Sequence, residues 1–271
     1  MPVQSDYSDG VPTIAYCLTT MDGAVLSQRE ADLPFYSAST IKLGVMVAAI
    51  RAVERGELDL NQEIAAAHTF PSATGTEDFT FEPEERDMGM PSPGTLMPLS
   101  EVLRRMITVS SNEATNLVVQ LVGLPAVNDA LSACGAASSR MERMIGDIPA
   151  LRAGLSHQVT ARDLTAVMRA IVTGAVAGPE LTELMTQWLM AQEFGDLGAE
   201  LDSAGAEVRW GSKSGWVTGI QHDVAFVAPQ NGFLSDGYVL AVCTRAYEEK
   251  DALPAIQALS RMAWELHRAT Q

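Results

Sequence analysis

The stretch FYSASTIKLGVMVAAI, residues 35–50, sets a polar knot of Ser39, Thr40 and Lys42 against a long apolar run. The run from Leu43 to Ile50 reads as the shaft of a buried helix, with the polar knot at its mouth. A lysine in a dry environment is costly unless it is paired or its pKa falls, so Lys42 is expected to be there for chemistry. Residues three apart on a helix share a face, which lets the Ser39 hydroxyl and the Lys42 amine meet. A serine at a helix start is also a common cap, and SxxK alone occurs by chance in many chains.

Outward from this helix, the chain alternates strand-like and helical blocks. Residues 12–19 and 24–28 flank TMDG, where Asp22-Gly23 signals a hairpin. The helix from Thr40 runs to about Val53 and exits at Gly56, in RGELDL. Residues 68–98 are rich in Pro, Gly, Thr and acidic residues, which predicts a long surface excursion. Helical periodicity returns in LSEVLRRMITVSSNEATNLVVQLVG, with Ser100 as its expected N-cap. Further helices fit 125–133, 161–172 and 179–191, the last two behind Thr160 and Pro179. AEVRWGSKSG, QHDVAFVAP and GYVLAVCTRA read as strands, and 252–268 as a closing amphipathic helix. Strands at both ends around a helical block predict an antiparallel sheet covered by helices, with an all-α region inserted in the chain.

Bulk properties exclude several functions. The chain has 271 residues, 47% of them hydrophobic and 19% charged, which suits a compact folded protein. A formal net charge of -16 is wrong for nucleic acid and gives no pull toward an anionic membrane. No apolar run is long enough to span a bilayer. Cys17, Cys134 and Cys243 are far apart and flanked by apolar or small residues, so buried free thiols are expected rather than disulfides. His68, His157, His222 and His267 have no metal-ligand spacing, and neither a metal nor another cofactor is expected. MPVQSDYSDG lacks a basic and an apolar region, which predicts a cytoplasmic protein, or an exported one whose signal has been removed.

Two further triplets carry polar groups in unusual places. Ser110-Ser111-Asn112 lies between two helical runs, where such residues are ordinary turn formers. Lys213-Ser214-Gly215 interrupts a strand, where glycine permits close backbone approach by a ligand or marks a bulge.

In this order and spacing, STIK, SSN and KSG resemble the SxxK, SDN and KTG signature of the penicillin-binding protein and class A β-lactamase superfamily. GELDLNQEI and LRRMITVSSNEATNLVV are similar to that family's regions after the nucleophile and around the second motif. RMERM resembles the start of its Ω-loop, and VTARDLTAVM the helix after it. The resemblance implies an α/β part built from residues 1–38 and 195–271, an all-α part from 39–194, and an active site at their junction.

The implied roles can be carried over by position. Ser39 would be the acylated nucleophile, Lys42 its base, and Ser110 the donor to the leaving nitrogen. Asn112 would hold the substrate amide oxygen and help fix Lys42, while Lys213 would supply positive charge. Ser214 would bind a substrate carboxylate, and the N–H groups of Ser39 and Trp216 would form the oxyanion hole. Ser111 stands where the family has Asp, which implies a local structural adjustment. The Ω-loop departs further: an ungapped reading puts Ile145 where class A enzymes carry the Glu that activates the deacylating water. Asp147 and Glu142 are the nearest carboxylates, each requiring a remodelled loop, and Asp147 otherwise reads as a solvated turn residue. His222 falls where many class A enzymes use an Arg for the substrate carboxylate, and is expected either to serve that role or to be an ordinary strand residue. Trp216 reads as a packing residue or an aromatic wall for substrate.

The implied function is a serine hydrolase acting through an acyl-enzyme on a small molecule, a β-lactam or peptide-like amide, with slow deacylation. A D-alanyl-D-alanine peptidase, another amidase or esterase, or a penicillin-binding protein without turnover are the alternatives on the same scaffold.

Overall fold

The computed structural model describes residues 2–75 and 77–269. Its frame is a five-stranded antiparallel sheet drawn from both ends of the chain. The strands are β1 (Thr13–Thr20), β2 (Val25–Arg29), β3 (Val208–Val217), β4 (Ile220–Pro229) and β5 (Tyr238–Arg245), in the spatial order β3-β4-β5-β1-β2. β1 and β2 turn at Asp22-Gly23, where Gly23 takes a φ of 96° that favours glycine. β4 and β5 are almost continuously buried, as strands covered on both faces are.

The helices are α1 (Lys42–Glu54), α2 (Leu99–Thr108), α3 (Asn112–Val122), α4 (Leu124–Ala133), α5 (Ile148–Arg152), α6 (Ala161–Val172), α7 (Pro179–Met190), α8 (Asp196–Ser203) and α9 (Glu249–Ala269). α8 and α9 pack with each other against the sheet, around Leu197, Leu201, Ile256 and Ala263. α6 packs against β1, β4 and β5, and joins the larger core built around α1. α1 is buried on almost every side, from Lys42 to Ile50 without interruption, as its apolar run requires.

Several boundaries differ from expectation for identifiable reasons. The turn bearing Ser39 is a 3₁₀ turn, Ala38–Ile41, and the α-helix proper begins at Lys42. Helix α2 starts at Leu99 behind Pro98 rather than behind a Ser100 cap. Thr160 does cap α6, accepting from the Asp163 N–H at 3.0 Å. Residues 68–98 are less of a surface excursion than their composition suggests. Phe70, Phe79 and Phe81 bury their rings together there, and short ladders pair Thr69–Pro71 with Asp78–Thr80 and Glu63–Ala65 with Leu96–Pro98. The region between the sheet's two halves is thus not purely helical: Phe35–Tyr36 also pairs with His157–Val159, which pairs with Arg140–Met141. All three cysteines are buried and free, and burial pushes the Cys134 thiol up to about 11. No helix among the described residues is long and apolar enough to cross a membrane.

Candidate active site

Three elements meet where α1 begins. Strand β3 is the sheet's edge, and it runs so close to the 3₁₀ turn that a Cβ built on Gly215 would stand 2.6 Å from Ser39 N and 2.9 Å from Thr40 N. Only glycine lets the strand pass there. The α2–α3 turn brings the second triplet to the same point. Its Ser110 sits in the left-handed region at φ 57°, as does Ala38, just before Ser39, at φ 45°. Two non-glycine residues held in that conformation cost roughly 1–3 kcal/mol each, a pattern typical of sites where surrounding structure fixes the backbone for function.

Beneath the half-buried Ser39, Ser110 and Asn112 lie two fully buried lysines. Lys42 Nζ donates to Ser110 O at 2.6 Å, Asn112 Oδ1 at 2.8 Å and Ser110 Oγ at 3.2 Å. Lys213 Nζ donates to Ser110 Oγ at 3.0 Å and Ser214 O at 2.8 Å. The Ser110 hydroxyl therefore stands between two amines. Burial presses the Lys42 pKa well below its ordinary value, the Lys213 charge presses it further, and Glu113 and Asp87 oppose the shift. Burial draws Lys213 down to about 7, against the pull of Asp223. Contrary to the simple SxxK picture, the Lys42 bonds all go to the second triplet rather than to Ser39 Oγ.

The second triplet is supported by residues that sequence reasoning did not single out. Ser111 caps α3, accepting from Ala114 N at 3.2 Å. A carboxylate from the 68–98 region, Asp87, hydrogen-bonds Ser111 and is gripped by Arg105 at 2.8 and 2.5 Å. Buried Glu113 accepts from Asp87 N and lies 3.5 Å from His68 Nδ1. Nothing in the sequence ties Asp87 to this turn. Asn116 is different, since it lies four residues after Asn112 and so on the same helix face.

Asn116 clamps the loop that carries Ile145. Its amide accepts from Ile145 N and donates to Ile145 O, both at 2.9 Å. The Ile145 side chain packs against the main core, so the position holds a hydrocarbon. Asp147 is not the solvated turn residue that its neighbour Gly146 suggests. It is fully buried, caps α5 through Ala150 N at 3.0 Å, and accepts from Ser72 Oγ and Ala73 N at 2.8 Å each. Both its oxygens are engaged. Glu142 accepts from Ser156 N at 3.0 Å and lies 3.4 Å from Arg140 Nε, so it too serves the loop. Replacing Asp147 with alanine removes a cap and takes an acceptor from the buried Ser72 hydroxyl and from Ala73 N, and is expected to cost about 1–2 kcal/mol in urea unfolding. A loss below about 0.5 kcal/mol would mean the loop does not depend on this carboxylate.

His222 sits directly opposite Gly215 on β4 and is fully buried. Its Nε2 is 2.9 Å from the Tyr36 carbonyl, and its Nδ1 accepts from Thr244 N at 3.1 Å. This fixes a neutral ring, consistent with burial drawing its pKa down to about 4. Both nitrogens are spent on the framework, leaving none for a substrate anion in this arrangement. Ser214 and Trp216 behave differently. Ser214 is buried with no hydrogen bond to its hydroxyl from the described residues, and Trp216 is 74% exposed, which sets aside a packing role for the indole.

The same organisation of sheet and helices is found in known proteins. The chain is 26% identical to a β-lactamase of Sphaerobacter thermophilus of known structure, over 95% of this chain and 92% of that one, with a TM-score of 0.77. It superposes on PBP-A with a TM-score of 0.76 at 22% identity, covering 95% of this chain and 91% of PBP-A, a likeness of fold. Among curated proteins, β-lactamase FAR-1 of Nocardia farcinica is 29% identical over 213 residues, 75% of this chain and 59% of that protein. The chain thus spans about three-fifths of the length of that curated relative. The family described as "Beta-lactamase enzyme family" matches residues 6–266, nearly the whole sequence, so the chain belongs to the β-lactamase enzyme family.

Proposed function

We propose that this chain is a serine hydrolase that opens β-lactams or related amides through an acyl-enzyme on Ser39 and releases the acyl group slowly. The observation that carries this reading is the Ser110 hydroxyl held between the buried amines of Lys42 and Lys213, with Lys42 one helical turn from Ser39. As an ammonium, Lys42 uses all three N–H donors on Ser110 and Asn112. As a neutral amine it keeps two donors and gains a lone pair, which accepts the Ser39 proton.

The Ser39 oxygen then attacks the carbonyl carbon, and the carbonyl electrons move onto oxygen. The N–H groups of Ser39 and Trp216 receive that charge, on the two segments that Gly215 allows to meet. Collapse breaks the C–N bond. The leaving nitrogen takes its proton from Ser110 Oγ, which is replenished by the Lys42 ammonium. Lys213 orients Ser110 Oγ and offers positive charge to a substrate anion.

Release of the acyl group requires an activated water. Ile145 has no group to activate it, and the Asp147, Glu142 and His222 side chains are bound into the framework. This supports a long-lived acyl-enzyme. The peptidase, amidase or esterase, and non-turnover binding readings share the acylation step and differ only in the fate of the acyl group.

A chromogenic cephalosporin and a fluorescent penicillin distinguish these outcomes when wild type is compared with Ser39→Ala. The expected result is labelled wild type, little turnover, and unlabelled Ser39→Ala. Fast turnover without label would overturn slow release, and absence of both would direct attention to a different acyl substrate.

A further inference from the structure

A cavity of about 790 Å³ opens beside the third motif and shares Ser214, Gly215 and Trp216 with it. Ser39 does not line this cavity, but Gly215, which does, runs against the Ser39 backbone. The resemblance leads one to expect a cation here to meet a substrate anion. The chemistry of the walls has the opposite sign.

Four carboxylates line the cavity, Glu193, Asp196, Glu248 and Glu249, of which Glu248 forms an ion pair with Lys250. Among the described residues no lysine or arginine lines it. Three aromatic side chains share the walls: Trp216 at 74% exposure, Phe194 at 50%, and Tyr247. Asp196 and Glu249 lie in the first turns of α8 and α9, where the helix dipole favours a carboxylate. They are nevertheless close enough to affect each other, since the Glu249 charge adds to the burial that raises the Asp196 pKa. The Asp196 carboxylate is held by Gln221 Nε2 at 2.8 Å, which fixes its position in the wall.

A second, independent feature marks the cavity as a ligand site. Ser214 is only 6% exposed, lines the cavity, and its hydroxyl has no hydrogen-bond partner among the described residues. The oxygen itself keeps solvent access on the cavity side, so it is free to donate to or accept from a ligand there.

We propose that this cavity is a subsite for an organic cation, an ammonium on an apolar or aromatic stem, carried by the acyl substrate. Aromatic faces and carboxylates together attract such a group, and the Ser214 hydroxyl can accept or donate to the polar atoms that link it to the reacting amide. The proposal rests on the acyl-enzyme reading for its substrate, but not for binding itself.

Two measurements separate the two claims. In the first, benzyltrimethylammonium and phenylacetate are titrated by NMR into Ser39→Ala, which does not require acylation. The cation is expected to bind at least about fivefold more tightly, with the preference shrinking as salt is added. The Glu193→Gln/Glu249→Gln double variant is expected to lose most of the preference. In the second, wild type is acylated by two cephalosporins with the same acyl arm, one bearing a quaternary ammonium at the 3′ position and one a carboxylate. The cationic compound is expected to acylate at least about fivefold faster, and the double variant to narrow the gap while still reacting.

Equal or anion-favouring binding in the first measurement would overturn the subsite. Preference for the cation in a protein that no β-lactam acylates would leave the subsite standing and overturn the acyl-enzyme reading.

Discussion

Lys42→Met is expected to slow acylation of Ser39 by about 10²–10⁴-fold, the usual contribution of a positioned general base. Methionine fills much of the same fully buried space without an amine, so the loss reports chemistry more than packing. Two acceptors, Ser110 O and Asn112 Oδ1, lose their donor, and stability is expected to fall modestly for that reason. Acylation rates from stopped-flow or intact-mass time courses, alongside an unfolding curve, separate the two effects. A Lys42→Met protein that acylates at the wild-type rate would show that another group takes the Ser39 proton.

The same pair of amines sets the expected pH dependence. Below the depressed pKa of Lys42 the amine is protonated and cannot accept, so acylation rises with pH through that value. Lys213 loses its proton at about 7, and with it the charge that keeps Lys42 neutral and attracts a substrate anion. The rate is therefore expected to rise as Lys42 loses its proton and to lose the Lys213 contribution as pH rises through about 7, with both effects belonging to the coupled pair.

Gly215→Ala is the second large effect. Its Cβ would stand 2.6 Å from Ser39 N and 2.9 Å from Thr40 N, both backbone atoms that cannot swing aside like a flexible side chain. Either β3 or the 3₁₀ turn must move, and the two proposed oxyanion donors separate. Losing one such donor costs about 10²–10³-fold in rate, and that is the expected loss in acylation. His222, directly opposite on β4, already fixes the strand through Tyr36 O and Thr244 N, which limits how far β3 can yield. A Gly215→Ala protein with normal acylation would mean that the close approach has no part in the reaction.

The frame of this fold is legible because its signals are local. Leu43–Ile50 has to be a buried helix, Asp22-Gly23 has to turn, and Thr160 and Pro179 stand where helices begin. The short helix α8 and the hairpin of Gln4–Ser5 with Ser8–Asp9 are too brief for periodicity to register. The buried phenylalanines of 68–98 are obscured by the polar composition around them. Within the site, the three triplets are visible in the sequence because each needs particular residue types at fixed spacing. Their supports are not. Asp87 reaches Ser111 from a loop more than twenty residues away, and only tertiary structure brings them together. His222 and Asp147 illustrate the reverse problem: a titratable residue at a suggestive position is equally suited to holding backbone groups, and only its partners distinguish the roles. Ile145 needs no such arbitration, because a hydrocarbon side chain cannot act as a base wherever it points.

The central claim is that Ser39 acylates and that the loop carrying Ile145 leaves the acyl group in place. An intact-mass time course after brief exposure to benzylpenicillin, with excess drug removed, tests it most directly. The account predicts one covalent adduct per chain, mapped by peptide digestion to Ser39, that persists far longer than acylation takes. An adduct elsewhere in the chain, or one on Ser39 that disappears as fast as it forms, would contradict it.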